Sequence, residues 1–330
     1  GGTRTYRAYR LYLPGRWQAP GSRGSELEKG IAMLNQALSI DPAYAIAWVE
    51  LAHLYRRKLW ISDGLATEVF GASDAAVQRA LALAPNLAEA HASKGLSRHW
   101  FAYDWPGAEQ AFRHAQALNS NCAMAHWGLA TLLLTQDRLA EGFSHQGMAR
   151  SLDPMSPVFN TVEGSFLLSN GQLKEARASL ERSLEIAPNN WLTHLAVGLL
   201  LVAEQHPEQG IDSMRKAVRL SDQTTRPLSV LGVQLARLGE TVETRQLLNQ
   251  LLSESMRRYV APTSIASLHA SLGESELAMD ALERGFEVRD TRMIFIKDDP
   301  HWESLRGEPR FTRLKSLLKV DRFGRGLTPI

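Results

Sequence analysis

Trp48, Leu51, Ala52 and Tyr55 stand three, four and seven positions apart along the chain, the spacing that places side chains on one face of a helix. Small residues recur at Ala52, Gly95, Ala130, Gly164, Gly198, Gly232 and Ala266. Each lies in a stretch that reads as a first helix whose partner must approach closely. Stretches that read as second helices carry a small residue with a bulky one four positions on, as at Ala108 and Phe112, Ala176 and Leu180, and Ala278 and Leu282. A further small position follows at Ala37, Ala80, Ala115, Ala149, Ser183 and Ala217. Proline after a second helix cannot continue it, and Gly171, Gly239 and Gly273 fall where two helices must turn. The pattern predicts eight helix pairs: Tyr6 to Ile40, Ala45 to Leu83, Ala88 to Leu118, Ala123 to Leu152, Pro157 to Ile186, Trp191 to Leu220, Pro227 to Met256 and Val260 to Val288.

The breakers keep a period. Pro154 and Pro188 are 34 residues apart, and the same step leads back to Ser120 and forward to Asp222. A repeat of this length with these residues resembles the tetratricopeptide (TPR) repeat. Each pair leaves an apolar face that only its neighbours can cover. The expected fold is therefore all-α, a TPR-type right-handed superhelical solenoid of about eight helix pairs with a C-terminal capping helix. A generic helical bundle is the alternative, but it gives no reason for small residues and breakers to share one step.

Two pairs depart from the rule. Pro85 follows Pro42 by 43 residues, nine more than the period, which predicts an insertion from Lys58 to Gly71. Pro14, Gly15, Pro20 and Gly21 interrupt the first pair, where the lead helix is expected to stop. The expected organisation is a lead segment of an irregular first repeat over residues 1–23, the solenoid over 24–290 with an insertion near 58–71, and a cap and tail over 291–330. Phe311, Leu314, Leu317 and Leu318 stand at helical spacing with Arg313, Lys315 and Lys319 outside them, which predicts the capping helix.

Composition narrows the function. Lys and Arg total 37 against 35 for Asp and Glu, a net charge of +2, so no nucleic-acid contact through this region is expected. The most apolar run, Leu195 to Ala203, is too short to span a membrane, and no membrane insertion is expected. The chain begins Gly1-Gly2 without an initiator Met, as expected of a processed chain or part of a larger parent. A cytoplasmic location is expected, or a periplasmic one if the parent has a membrane anchor.

Candidate chemistry is sparse. The one cysteine, Cys122, has no partner for a disulfide, and none of the ten histidines forms an i, i+4 pair. His91, His99, His114 and His126 lie on different helices, so no metal site is expected. His126 and His194 occupy a position where the repeat favours a bulky packing residue. There is no Gly-x-Ser-x-Gly elbow and no phosphate loop. No catalytic residue, cofactor or enzyme activity is expected.

The first helix of each pair lines the concave side of such a stack, and the repeat register places Trp100, Met124, Trp127, Thr131, Val158, Ser165, Leu192, Leu195, Leu199 and Val202 there. Ile46, Val49, His53, Leu96 and Thr161 extend the row, with Arg56, Arg57, Arg226 and Arg237 on its flanks. An apolar, aromatic groove fits a protein or peptide partner with an apolar or amphipathic segment. On that reading, charge at Trp127 and Leu195 abolishes partner capture without unfolding the chain. Tight winding, or docking of the chain's own N-terminal segment, would instead bury both residues. A terminal-carboxylate clamp needs Asn after the small residue of the first helix, and here His53, Leu96, Thr131, Ser165, Leu199, Val233 and Ser267 fill that slot. Trp60 with Trp100, Phe101, Tyr103 and Trp105 could build a small-molecule pocket or pack between repeats.

The opening Ala8-Tyr9-Arg10-Leu11-Tyr12-Leu13-Pro14-Gly15-Arg16-Trp17, the run Tyr103-Asp104-Trp105-Pro106-Gly107-Ala108-Glu109, and Asp299-Pro300-His301-Trp302 with Leu305-Arg306 and Pro309-Arg310-Phe311 carry a second resemblance. Together they resemble the TPR region attached C-terminally to CadC-like winged-helix bacterial transcriptional regulators, and to some adenylate cyclases and Ser/Thr kinases. The resemblance implies a non-catalytic sensing or partner-binding region that controls an output domain, with no active site to carry over.

Overall fold

The structure, a computed structural model, describes residues 2–16, 24–61, 63–221, 224–296 and 300–318, with the backbone alone at 24, 60, 61, 300 and 301. Among the described residues there are seventeen α-helices and no strand. Sixteen of them form pairs: α1 (Tyr6–Arg16) with α2 (Gly24–Ile40), α3 (Ala45–Ile61) with α4 (Ala66–Leu83), α5 (Ala88–Ser97) with α6 (Trp105–Leu118), and α7 (Ala123–Thr135) with α8 (Leu139–Leu152). Then come α9 (Pro157–Ser169) with α10 (Leu173–Ile186), α11 (Trp191–Ala203) with α12 (Pro207–Leu220), α13 (Thr225–Arg237) with α14 (Thr241–Ser255), and α15 (Pro262–Ser271) with α16 (Ser275–Glu287). Two 3₁₀ turns (Thr291–Phe295 and Pro300–Leu305) and α17 (Pro309–Leu318) close the described chain. The fold is the expected all-α TPR-type solenoid of helix pairs.

Two compact units divide the chain, one up to Phe159 and one from Asn160. Within each, the small residues do what close packing requires. A Cβ on Gly95 would stand 2.6 Å from the Phe112 ring, one on Gly164 2.7 Å from Leu180, and one on Gly198 2.6 Å from Met214. Ala37, Ala80, Ala115, Ala149, Ser183 and Ala217 on the second helices have no exposed surface.

The turns inside the pairs show the period best. Tyr103, Asp137, Gly171, Gln205, Gly239 and Gly273 each lie 34 residues apart, and all six have positive φ, from 52° to 87°. In five of them the next residue's N–H reaches back five positions, as from Arg138 to Leu133, Gln172 to Leu167 and His206 to Leu201. This is the bond that ends a helix in a left-handed residue. Glycine adopts that conformation without strain, yet three of the six positions manage without it.

The third pair differs by one residue. Its first helix starts 35 residues before that of the fourth, and the stretch Arg98–Ala102 is a π turn. A π turn is how a helix absorbs a single extra residue. The closing bond accordingly runs from Asp104 N–H to the Arg98 carbonyl, six positions back, at 3.0 Å.

The insertion expected from Lys58 to Gly71 is not a separate loop. α3 has 17 residues and α4 has 18, against 13 and 14 in the fourth pair. Eight of the nine extra residues thus lengthen the two helices. Pro14 likewise does not stop the lead helix, which continues to Arg16. Pro14 lies inside the helix, where its missing N–H removes one bond of the ladder without ending it. Pro20 and Gly21 lie outside the described residues, as does Asp222.

The closing segment is latched by charge. Buried Asp290 accepts from the Thr263 N–H at 3.1 Å and its hydroxyl at 2.6 Å, capping α15 from across the turn, and from the Arg292 N–H at 3.1 Å. Arg310 on α17 binds Glu276, Asp280 and Glu283 on α16. Phe311, Leu314 and Leu318 are buried beneath it, whereas Leu317 is 36% exposed.

Candidate partner-binding surface

The fourth position of several first helices closes the link to the preceding pair. The Trp48 ring N–H donates to the Pro42 carbonyl at 3.0 Å, and the Nε2 atoms of His91, His126 and His194 lie 2.7, 3.0 and 2.8 Å from the carbonyls of Pro85, Ser120 and Pro188. Every acceptor lies six residues upstream, so these histidines have a structural partner.

The fifth position is buried. Val49, Trp127, Thr161 and Leu195 are all at most 7% exposed. Trp127 lies edge-on to Trp100 at 5.8 Å and stacks on Phe159 at 5.6 Å. Leu195 is enclosed by Trp191, Ile211, Met214, Leu231 and Leu235. Trp100, Trp127, Thr131 and Leu195 therefore do not line an open surface. The π turn explains part of this, because one extra residue rotates the remainder of a helix by about 100°, and His99, Trp100 and Phe101 all turn inward.

The second position behaves differently. Ile46, Glu89, Met124 and Val158 in the first unit, and Leu192 and Arg226 in the second, are all half-buried. Ser165, Leu199 and Val202 share that intermediate exposure. Leu192, Leu199 and Val202 rim the Leu195 cluster without being enclosed by it. The Ser165 hydroxyl is turned back onto the Thr161 carbonyl at 2.9 Å. Of the ten residues placed in the groove by counting, six thus keep an accessible face.

Arg56 is not on a flank. It is 2% exposed and donates to the Ser73 hydroxyl at 2.9 Å, and burial pushes its guanidinium down to about 10. Arg57 and Arg226 are half-buried and Arg237 is exposed. Phe101, Tyr103 and Trp105 are buried, with Phe101 against Phe70 at 4.9 Å and Trp105 against His99 at 5.0 Å. The aromatic cluster packs between helices, and the Trp60 side chain lies outside the described residues. The Tyr103 to Glu109 run is likewise a cap. Asp104 accepts from the Gly107 N–H at 3.0 Å, and a Cβ on Gly107 would collide with the Asp104 carboxylate and the Arg98 guanidinium.

Burial also governs His99 and Cys122. His99 has no exposed surface and no partner for either ring nitrogen, and burial pushes its ring down to about 3. Cys122 is buried and its thiol is pushed up to about 11 by burial, which makes it unreactive. Among the described residues no group of three metal-ligating side chains converges, and no helix is long and apolar enough to cross a membrane.

Comparison with known proteins agrees with this geometry. Residues 160–190 match the family model of the tetratricopeptide repeat. This segment carries a TPR motif. The chain is 22% identical over 197 residues to anaphase-promoting complex subunit 7 of Dictyostelium discoideum, covering 57% of this chain and 34% of the relative. It therefore spans about a third of that relative's length. The crystal structure of the APC/C hetero-tetramer Cut9-Hcn1 is similar with a TM-score of 0.62 and 15% identity, over 93% of this chain and 55% of the other. Yeast Tom70 is similar with a TM-score of 0.53 and 12% identity, over 95% and 68%. At these identities the similarity is one of fold.

Proposed function

We propose that this chain is a non-catalytic protein-binding module that holds an apolar or amphipathic segment of a partner against its first helices. The observations that carry the reading are half-buried apolar side chains taken unit by unit, Met124 and Val158 within the first and, independently, Leu192, Leu199 and Val202 within the second. Such side chains can lose further apolar surface to a ligand at about 25 cal/mol per Å² while the core beneath them stays closed. Trp100, Trp127, Thr131 and Leu195 support this surface from below and do not touch the partner.

The finer reading is a sensing region of a bacterial transcriptional regulator, motivated by the opening and closing motifs around Tyr12, Trp302 and Phe311. An accessory region of a Ser/Thr kinase or adenylate cyclase is the variant of that reading. Assembly scaffolding is the second reading, favoured by the similarity to an anaphase-promoting complex subunit.

The test is a selection of displayed peptides on the intact chain, followed by titration of the recovered sequences. Leu192→Lys and Leu199→Lys are expected to lose more than about tenfold in affinity, roughly 1.4 kcal/mol, with unchanged melting. Equal binding by both variants would remove the surface assigned here. A winged helix, or a catalytic domain, encoded upstream of Gly1 would decide between the finer readings.

A further inference from the structure

Three polar side chains from successive helices meet in the first unit: Gln116 on α6, His126 on α7 and His145 on α8. His126 Nε2 lies 3.0 Å from the Ser120 carbonyl. A carbonyl only accepts, so Nε2 carries the hydrogen and Nδ1 of the neutral ring is bare. His145 Nδ1 lies 3.0 Å from that bare nitrogen, with the two rings 5.2 Å apart. His145 must therefore carry its own hydrogen on Nδ1. The Gln116 amide nitrogen, which only donates, lies 3.1 Å from His126 Nδ1 and 3.4 Å from His145 Nδ1, so the bare His126 nitrogen is the one acceptor it can reach.

Only one hydrogen fits on the line between the two ring nitrogens. With both rings charged, two N–H groups would face each other across that line on two positively charged rings. We propose that Gln116, His126 and His145 form a proton-sensitive clasp, which joins α8 to α6 and α7 while one proton lies between the rings and releases α8 when both rings are charged.

The surroundings do not neutralise the added charge. Arg113 and Glu109 on α6 and Arg138 and Glu141 beside α8 form a closed set of ion pairs at 2.6 to 2.8 Å, two charges of each sign. α7 carries no charged side chain apart from His126. α5, which also packs on α7, carries Glu89, His91 and Lys94, and His91 is held by Pro85 and by the His114 ring at 4.4 Å. Burial, and then His126, lower the proton affinity of His145 below the ordinary 6.5. A lowered histidine in the folded chain means that the unfolded chain takes up protons first. The clasp's contribution is therefore complete above pH 6.5 and is lost as pH falls from 6.5 toward the lowered folded value.

Hydrogen exchange of the full chain at pH 7.5 and 5.5, corrected for intrinsic exchange rates, tests the clasp. Residues 139–152 are expected to lose protection by about tenfold, the effect of one pH unit on a single site, while residues 173–186 keep theirs. His145→Asn should abolish the difference, because an amide can turn over to donate or accept and does not titrate. Equal protection of 139–152 at both pH values, or the same loss in the variant, would overturn the proposal. Imidazole nitrogen shifts of the unaltered protein give a readout that needs no variant. One protonated and one bare Nδ1 at pH 7.5 are expected, and two rings titrating independently near 6.5 would refute the clasp.

Discussion

The third and sixth helix pairs use one plan with opposite degrees of regularity. In the sixth, 13- and 14-residue helices meet at Gly198 over Met214, and the core of Trp191, Leu195, Ile211 and Met214 is apolar. In the third, one extra residue becomes a π turn, and His99 is buried there with both nitrogens unpaired. The Ser93 and Ser97 hydroxyls and the Trp127 ring N–H nearby in sequence or in contact also lack partners. An unpaired buried polar group costs about 1–3 kcal/mol, so the third pair carries a penalty that the sixth avoids. Regular repeats concentrate stability, and the irregular one concentrates unsatisfied chemistry.

The contrast can be broken most forcefully in the sixth pair. Leu195→Glu is expected to destabilise the protein by about 4 kcal/mol or more, because it buries an unpaired carboxylate in an apolar cluster. Leu199→Glu, one turn along and half-buried, should change stability by less than about 1 kcal/mol. Denaturant titration of both variants measures the difference, and equal losses would show that the two positions share one environment.

In the third pair the sign should reverse. His99→Leu removes two orphaned nitrogens and is expected to stabilise by about 1 kcal/mol at pH 7.5. With the folded value near 3 against 6.5 in the unfolded chain, the unaltered protein loses stability as pH falls below 6.5. Each pH unit in that window costs about 1.4 kcal/mol for this ring. The advantage of the variant should therefore grow between pH 7.5 and 5.5 in the same titration.

The smallest effects belong to the turns. Asp137→Gly is expected to stabilise by a few tenths of a kcal/mol up to about 1, because Asp137 holds φ at 60°, where glycine is unstrained. Gly171→Ala, at φ 74° with open space around its Cβ, should lose about 1 kcal/mol by the same reasoning. Thermal melts of the two variants should shift in opposite directions.

The fold was legible because close approach demands small residues at fixed steps, and Gly164, Gly198 and Gly232 announce it directly. The helix pairs lie within a few residues of the positions counted from the sequence. The features that counting missed have physical causes. Tyr103, Asp137 and Gln205 adopt a left-handed turn without a glycine to mark it. The π turn has no sequence signature beyond a 35-residue spacing, and Trp100 lies buried within it. Trp127 and Leu195 failed for another reason: at the fifth position of a first helix, a large apolar residue reaches the neighbouring pair and is covered. Met124 and Leu192, at the second position of their helices, keep an accessible face, and both were already among those placed in the groove.

Hydrogen exchange with and without a selected peptide tests the binding account most directly. Protection is expected on the first helices, over 123–135 in the first unit and 191–203 in the second, with residues 139–152 and 207–220 unchanged. Protection confined to those second helices would contradict it.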